Sequence, residues 1–217
     1  MMEPAWTATE WAALGDVLSG VGTVIGALAV IGAAYLASNT FDSWRKQTLS
    51  QRRIEQAERI LTATYKVRRG LSLVRAPMLW GYEQQKAEDY LREKGELPGD
   101  EAGKKKMTIA QLYFTRLNAV MDDRKLLEEC QPMARALFGE KLELALEALN
   151  HQFQRVNAAV QAQYRFEENT DRKFRESIEA VLWEGYPTPK ENELDREIDE
   201  QVATIEKHCV PVLRLEN

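Results

Sequence analysis

The sequence predicts an all-α protein, one N-terminal transmembrane helix followed by a cytoplasmic antiparallel helical bundle, and three observations carry that reading. From Val17 to Ala37 no residue is charged. Beyond residue 56, apolar side chains recur at alternating intervals of three and four, the repeat of a single buried helix face. No segment alternates apolar and polar residues with the period of two that a half-buried strand requires.

The chain has 217 residues and a net charge of −5, and the charge is unevenly placed. Residues 1–38 carry Glu3, Glu10 and Asp16 and no Lys or Arg. Residues 39–75 carry nine bases, Arg45, Lys46, Arg52, Arg53, Arg59, Lys66, Arg68, Arg69 and Arg75, against Asp42, Glu55 and Glu58. The remainder is net acidic, which argues against a nucleic-acid partner, because a phosphate-binding domain spreads positive charge over its working surface. Cys130 and Cys209 match neither a redox motif nor a metal-ligand spacing and read as ordinary thiols of a reducing compartment.

In chain order, residues 1–16 form a short acidic extracytoplasmic tail and residues 17–38 the transmembrane helix. A run of this length spans about 30 Å as a helix, the thickness of the hydrocarbon layer. Gly20, Gly22 and Gly26 in GVGTVIG resemble a phosphate loop only superficially. Their spacing is G-x-G-x-x-x-G, no strand precedes it and no lysine follows. Trp6 and Trp11 on one side, with Tyr35, Phe41 and Trp44 on the other, suit rings at headgroup depth. A cleavable signal would need a basic leader and a shorter apolar core. Since the bases within reach all follow the run, the positive-inside rule sends the N-terminus out and the body into the cytoplasm. Ser19, Gly22, Gly26, Ala29 and Ala33 fall three or four apart and form one smooth packing face, suited to self-association or to another membrane protein's span.

Residues 39–92 read as a long juxtamembrane helix. Its buried stripe is Ala57, Ile60, Thr64, Val67, Leu71, Val74 and Met78, broadened by Leu61 and Tyr65, before Pro77 interrupts it. Arg45, Arg52, Arg59 and Lys66 lie seven apart on nearly one face. Lys66 would stand about 30 Å beyond Arg45 along the axis, several screening lengths away. The anionic headgroup contacts are therefore assigned to Arg45, Lys46, Arg52 and Arg53, and the rest to a solvated face.

Residues 93–107, EKGELPGDEAGKKK with the following Met107, read as a flexible loop. Residues 108–217 supply the remaining helices of the bundle, which the juxtamembrane helix completes. Thr108 with Gln111 offers a capping box for a helix using Ile109, Leu112, Leu117, Val120 and Leu127. Pro132 fits a helix start and Gly139 a stop, with Leu137 and Phe138 as anchors. Leu142, Leu146, Leu149, Phe153, Val156, Val160 and Tyr164 mark the clearest stripe. A shorter helix capped by Asn169 or Thr170 uses Phe174, Ile178, Val181 and Leu182 and ends at Gly185, before YPTP. Leu194, Ile198, Val202, Ile205 and Cys209 line the last helix.

No catalytic constellation emerges. Glu143, Glu147 and His151 share one helix face, but neither a repeated Glu-x-x-His pair nor a His-Glu-x-x-His pattern accompanies them. His208 and Cys209 are sequence neighbours and diverge by about 100° on a helix. Trp80, Tyr82, Tyr113, Phe114, Trp183 and Tyr186 are expected as core or loop anchors. No cofactor and no metal site is expected.

The apolar run followed by Trp44-Arg45-Lys46-Gln47, then AERIL at 57–61, YKVR at 65–68 and VRAP at 74–77, resembles a loose group of uncharacterised bacterial single-span proteins with a Trp-basic-x-Gln junction and a juxtamembrane helix. The likeness covers about residues 20–78. It implies a bacterial inner-membrane setting and brings no activity, cofactor or catalytic residue. The expectation is a non-enzymatic, membrane-anchored interaction or oligomerisation protein whose partners are the bilayer and itself or another membrane protein. The alternative is a membrane-disrupting effector, of the kind used in anti-phage defence, driven by assembly of the Gly/Ala-rich span.

Overall fold

A computed structural model of the chain describes residues 8–167 and 170–214. Trp6 and the proposed cap Asn169 lie outside the described residues. Those described form seven helices and no strand: α1 (Ala8–Val74), α2 (Gly81–Lys94), α3 (Glu101–Ala119), α4 (Met121–Phe138), α5 (Glu140–Tyr164), α6 (Arg172–Leu182) and α7 (Glu193–Leu213). By its internal contacts the chain divides into two compact units, Met1–Arg52 and Arg53–Asn217, and α1 contributes to both.

In the first unit, α1 is already helical at Ala8, inside the expected tail, and runs without interruption through the apolar segment. No proline lies between Pro4 and Pro77 to remove a helical hydrogen bond. Its large apolar side chains, among them Val17, Val21, Ile25, Leu28, Ile31 and Leu36, are all exposed. The hydroxyls of Thr23 and Thr40 donate to the carbonyls of Ser19 and Leu36, each at 2.8 Å, so these polar atoms find partners on their own helix.

The second unit holds the core. Ala57, Ile60, Thr64, Val67, Leu71 and Val74 of α1 are fully buried, and the Thr64 hydroxyl donates to the Ile60 carbonyl. Against them pack Leu127, Cys130 and Ala134 of α4, Leu142 to Val160 of α5, and Leu194 to Cys209 of α7. Burying each such leucine contributes about 1.5–3 kcal/mol. Ion pairs report the register. Arg59 meets Glu129 and Lys66 meets Asp123, so numbers rise along α1 as they fall along α4. The same reversal relates α1 to α7 through Tyr65–Glu206 and Arg68–Asp199. It relates α4 to α5 through Arg135–Glu143 and Arg124–Asn150.

Several expectations within this unit are corrected. The segment 93–107 is not a loop throughout: α2 ends at Lys94, with Gly95 as its left-handed cap, and α3 begins at Glu101. Asp100 caps α3, its carboxylate accepting from the Gly103 amide at 2.8 Å, and Glu101 complements the helix dipole in the first turn. Thr108 is consequently a buried residue inside α3 rather than a cap. The helix expected to continue from there to Leu127 breaks at Val120, whose side chain is pressed against Gly70 of α1. A Cβ at Gly70 would lie 3.0 Å from Val120 Cγ1, a tight contact that a larger residue could make only if Val120 shifted by a few tenths of an ångström.

Pro132 starts no helix. It sits inside α4, where Leu127, Cys130 and Ala134 keep one buried face across it. Gly139 is the junction of α4 and α5, with φ of +96°, a backbone that side chains disfavour. Asp171 caps α6, accepting from Phe174 N at 3.0 Å, and Thr170 instead accepts from the Glu167 amide. Tyr65, Met78, Tyr164 and Phe174, expected on buried stripes, are exposed, as are Trp80 and Tyr82.

Candidate functional site

Ser19, Gly22, Gly26, Ala29 and Ala33 all lie in α1 within the first unit and are exposed. Their three-and-four spacing on a continuous helix sets them on one side of it. A Cβ built on Gly22 or Gly26 meets nothing within 4 Å beyond the helix's own backbone, so the described residues leave this face uncovered. After it come Tyr35, Phe41 and Trp44, with the Phe41 and Trp44 rings 5.9 Å apart.

The four proposed headgroup contacts separate. Arg45, Lys46 and Arg52 belong to the first unit and are exposed. Arg53 opens the second unit, and its guanidinium lies 5.5 Å over the Phe138 ring, a cation–π contact. The remaining bases of the seven-residue row, Arg59 and Lys66, pair with Glu129 and Asp123 of α4 instead of forming a freely solvated face.

The second unit contains two buried cations that sequence reasoning missed. Arg75, only 1% exposed, follows the last turn of α1. Its guanidinium pairs with Asp195, and its Nε donates to the Val181 carbonyl at 2.7 Å. Its Nη2 reaches the Ala180 and Trp183 carbonyls and Asn192 Oδ1. The arginine therefore satisfies carbonyls that end α6, where a cation also complements the helix dipole. Asn192 caps α7 by accepting from Asp195 N, and its amide donates to the Ala180, Trp183 and Tyr186 carbonyls. Asp195 also accepts from the Gly185 amide. Three helix ends thus meet around one side chain.

Arg116 of α3, 5% exposed, does the same for the connection after α1. It donates to the carbonyls of Ala76 and Met78 and to both carboxylate oxygens of Glu83. That hydrogen bond holds the Glu83 carboxyl below its ordinary range. Buried charges so fully bonded define where α1 ends.

The groups with reactive potential are placed otherwise. Cys130 and Cys209 are free and buried. Burial raises both thiols, Cys209 to about 12, so neither supplies a thiolate near neutrality. Glu143 pairs with Arg135, Glu147 and His151 are exposed on α5, and His208 lies 2.8 Å from the Thr204 carbonyl. Among the described residues, no group of three or more His, Cys, Asp or Glu is arranged to hold a metal ion.

In the first unit, α1 exposes a run of large apolar side chains from Val17 to Leu36. Among the described residues, α1 is the one helix long and apolar enough to cross a membrane. Its most apolar 18-residue window has a mean hydropathy of 2.1 and no buried residue. Comparison with protein-family models, curated proteins and solved structures found no match to this chain.

Proposed function

We propose that the protein is a single-span, membrane-anchored interaction protein that acts by position and not by catalysis. Residues 17–38 cross a bacterial inner membrane, the N-terminus lies outside, and the helices from Arg53 onward form an antiparallel bundle in the cytoplasm. The observation that carries the reading is the apolar window of α1, whose side chains find no burial among the described residues. Apolar area of that extent is unfavourable in water and comfortable among acyl chains. Charge supports the direction, since Arg45, Lys46 and Arg52 follow the apolar run and only acids precede it. The reversed registers of α1 with α4 and α7, and of α4 with α5, support the antiparallel bundle.

Membrane fractionation tests the anchor. The full chain is expected in the pellet after a carbonate wash, and the fragment 41–217 in the supernatant, strongly helical by circular dichroism. Recovery of the full chain in the aqueous fraction without detergent overturns the proposal. A reporter fused after Asn217 should be active only in its cytoplasmic form.

The uncovered face at Gly22 and Gly26 favours a second reading, in which spans assemble and permeabilise the membrane. Dye leakage on overexpression, abolished by Gly26→Leu, would support it. Absence of leakage would leave the anchor alone.

A further inference from the structure

A groove of about 390 Å³ opens among α3, the end of α5 and α6, a volume typical of small-molecule sites. Ile109, Val160, Tyr164 and Phe166 give it apolar walls. The Arg175 guanidinium lies 5.9 Å over the Phe166 ring, while Lys106 donates to the Phe166 carbonyl. Arg175 Nε is buried yet has no hydrogen-bond acceptor among the described residues. A buried N–H without a partner is unfavourable, and a charged one more so, which makes the atom a ready donor for an incoming oxygen. Lys105 and Lys106 line the same groove, which makes three cations with Arg175. Glu167 and Glu179 line it too, and they disfavour any ligand bearing several negative charges.

We infer that this groove binds a small amphipathic monoanion, an apolar body bearing a single carboxylate. The carboxylate accepts from Arg175, Lys105 contributes its positive charge, and the body rests on Ile109, Val160 and Tyr164. The two glutamates offset two of the three cations, which favours a single negative charge over several. Every lining residue belongs to Arg53–Asn217, so the inference stands independently of the membrane reading.

The test is equilibrium dialysis of the full chain in lipid nanodiscs, with empty nanodiscs subtracted, followed by naphthalene fluorescence. The probes are naphthalene-2-carboxylate and its uncharged carboxamide. The carboxylate is expected to bind at least about tenfold tighter than the carboxamide, the effect of one charge-assisted hydrogen bond. Arg175→Gln should remove that advantage, Arg175→Lys should keep part of it, and Ile109→Trp should block both probes. Arg175→Gln changes a side chain at the groove surface, so circular dichroism should report unaltered helix content. Equal affinity for the two probes, unchanged carboxylate affinity in Arg175→Gln, or no binding above the nanodisc blank would each overturn the inference.

Discussion

Two stretches of the same helix behave as if they belonged to different proteins. Up to Leu36, α1 exposes Val17, Leu18, Val21, Val24, Ile25, Leu28, Val30, Ile31 and Leu36, while Ala57, Ile60, Thr64, Val67, Leu71 and Val74 are fully buried. The backbone geometry is common to both, so local propensity does not separate them. The separation lies in the pattern. The later stretch confines its apolar residues to one face and gives the other faces Arg59, Lys66 and Arg68, which pair with acids of α4 and α7. The earlier stretch is apolar all round, and a helix of that kind has no polar side to offer water. On the proposed reading, one stretch satisfies itself with protein and the other with lipid.

Substitutions can break this contrast from either side. The largest effect is expected at Arg75→Leu, which strands Asp195, Asn192 and the α6 carbonyls. It should destabilise the second unit by about 3–5 kcal/mol in denaturant titration of the full chain, with membrane association unchanged. Leu28→Arg works in the opposite sense: it adds about 2.5–3.5 kcal/mol to the insertion of the apolar run. It should shift the protein out of the membrane pellet while leaving the thermal transition of the second unit in place.

Asp171→Ala removes the α6 cap and should cost about 1 kcal/mol, seen as a lowered transition temperature. Smaller, and confined to acid, is the contribution of Glu83. Its folded carboxyl is held below the ordinary value by Arg116, so the stability it confers is fully present above that ordinary value. It is lost as pH falls through the folded value, and Glu83→Gln should flatten the acid limb of transition temperature against pH. Smallest is Gly26→Leu. With nothing near its added side chain, it should leave the stability of the second unit within about 0.5 kcal/mol of the parent. A larger change would show that the two stretches are not energetically separate.

How much of this was legible in the sequence depended on whether a residue's partner was local. The α7 stripe from Leu194 to Cys209 was readable in full because each member faces the core at helical spacing. The first turns of α3 were not, since Glu101 to Lys106 carry charge on most sides and show no apolar period. Reading them as a loop also hid Lys105 and the groove it lines. Arg75 was visible only as one base among nine, because its partners lie more than a hundred residues further on. Trp80 and Tyr82 misled in the other direction, as large aromatics that the fold leaves outside. The small-residue face at Ser19 to Ala33 was found by spacing alone, and spacing carries no information on what covers it.

The distance along the chain between Arg75 and Asp195, 120 residues, also sets a clock. At a synthesis rate of about 5–20 residues per second, the guanidinium emerges roughly 6–24 s before its carboxylate exists. During that interval the stripe of α1 has neither α7 nor the end of α6 to close over it. The nascent chain would thus wait beside the ribosome with its core ajar, a window in which chaperones or a neighbouring polysome's product can reach it, and on the proposed reading it would do so with its apolar run already threaded into the bilayer.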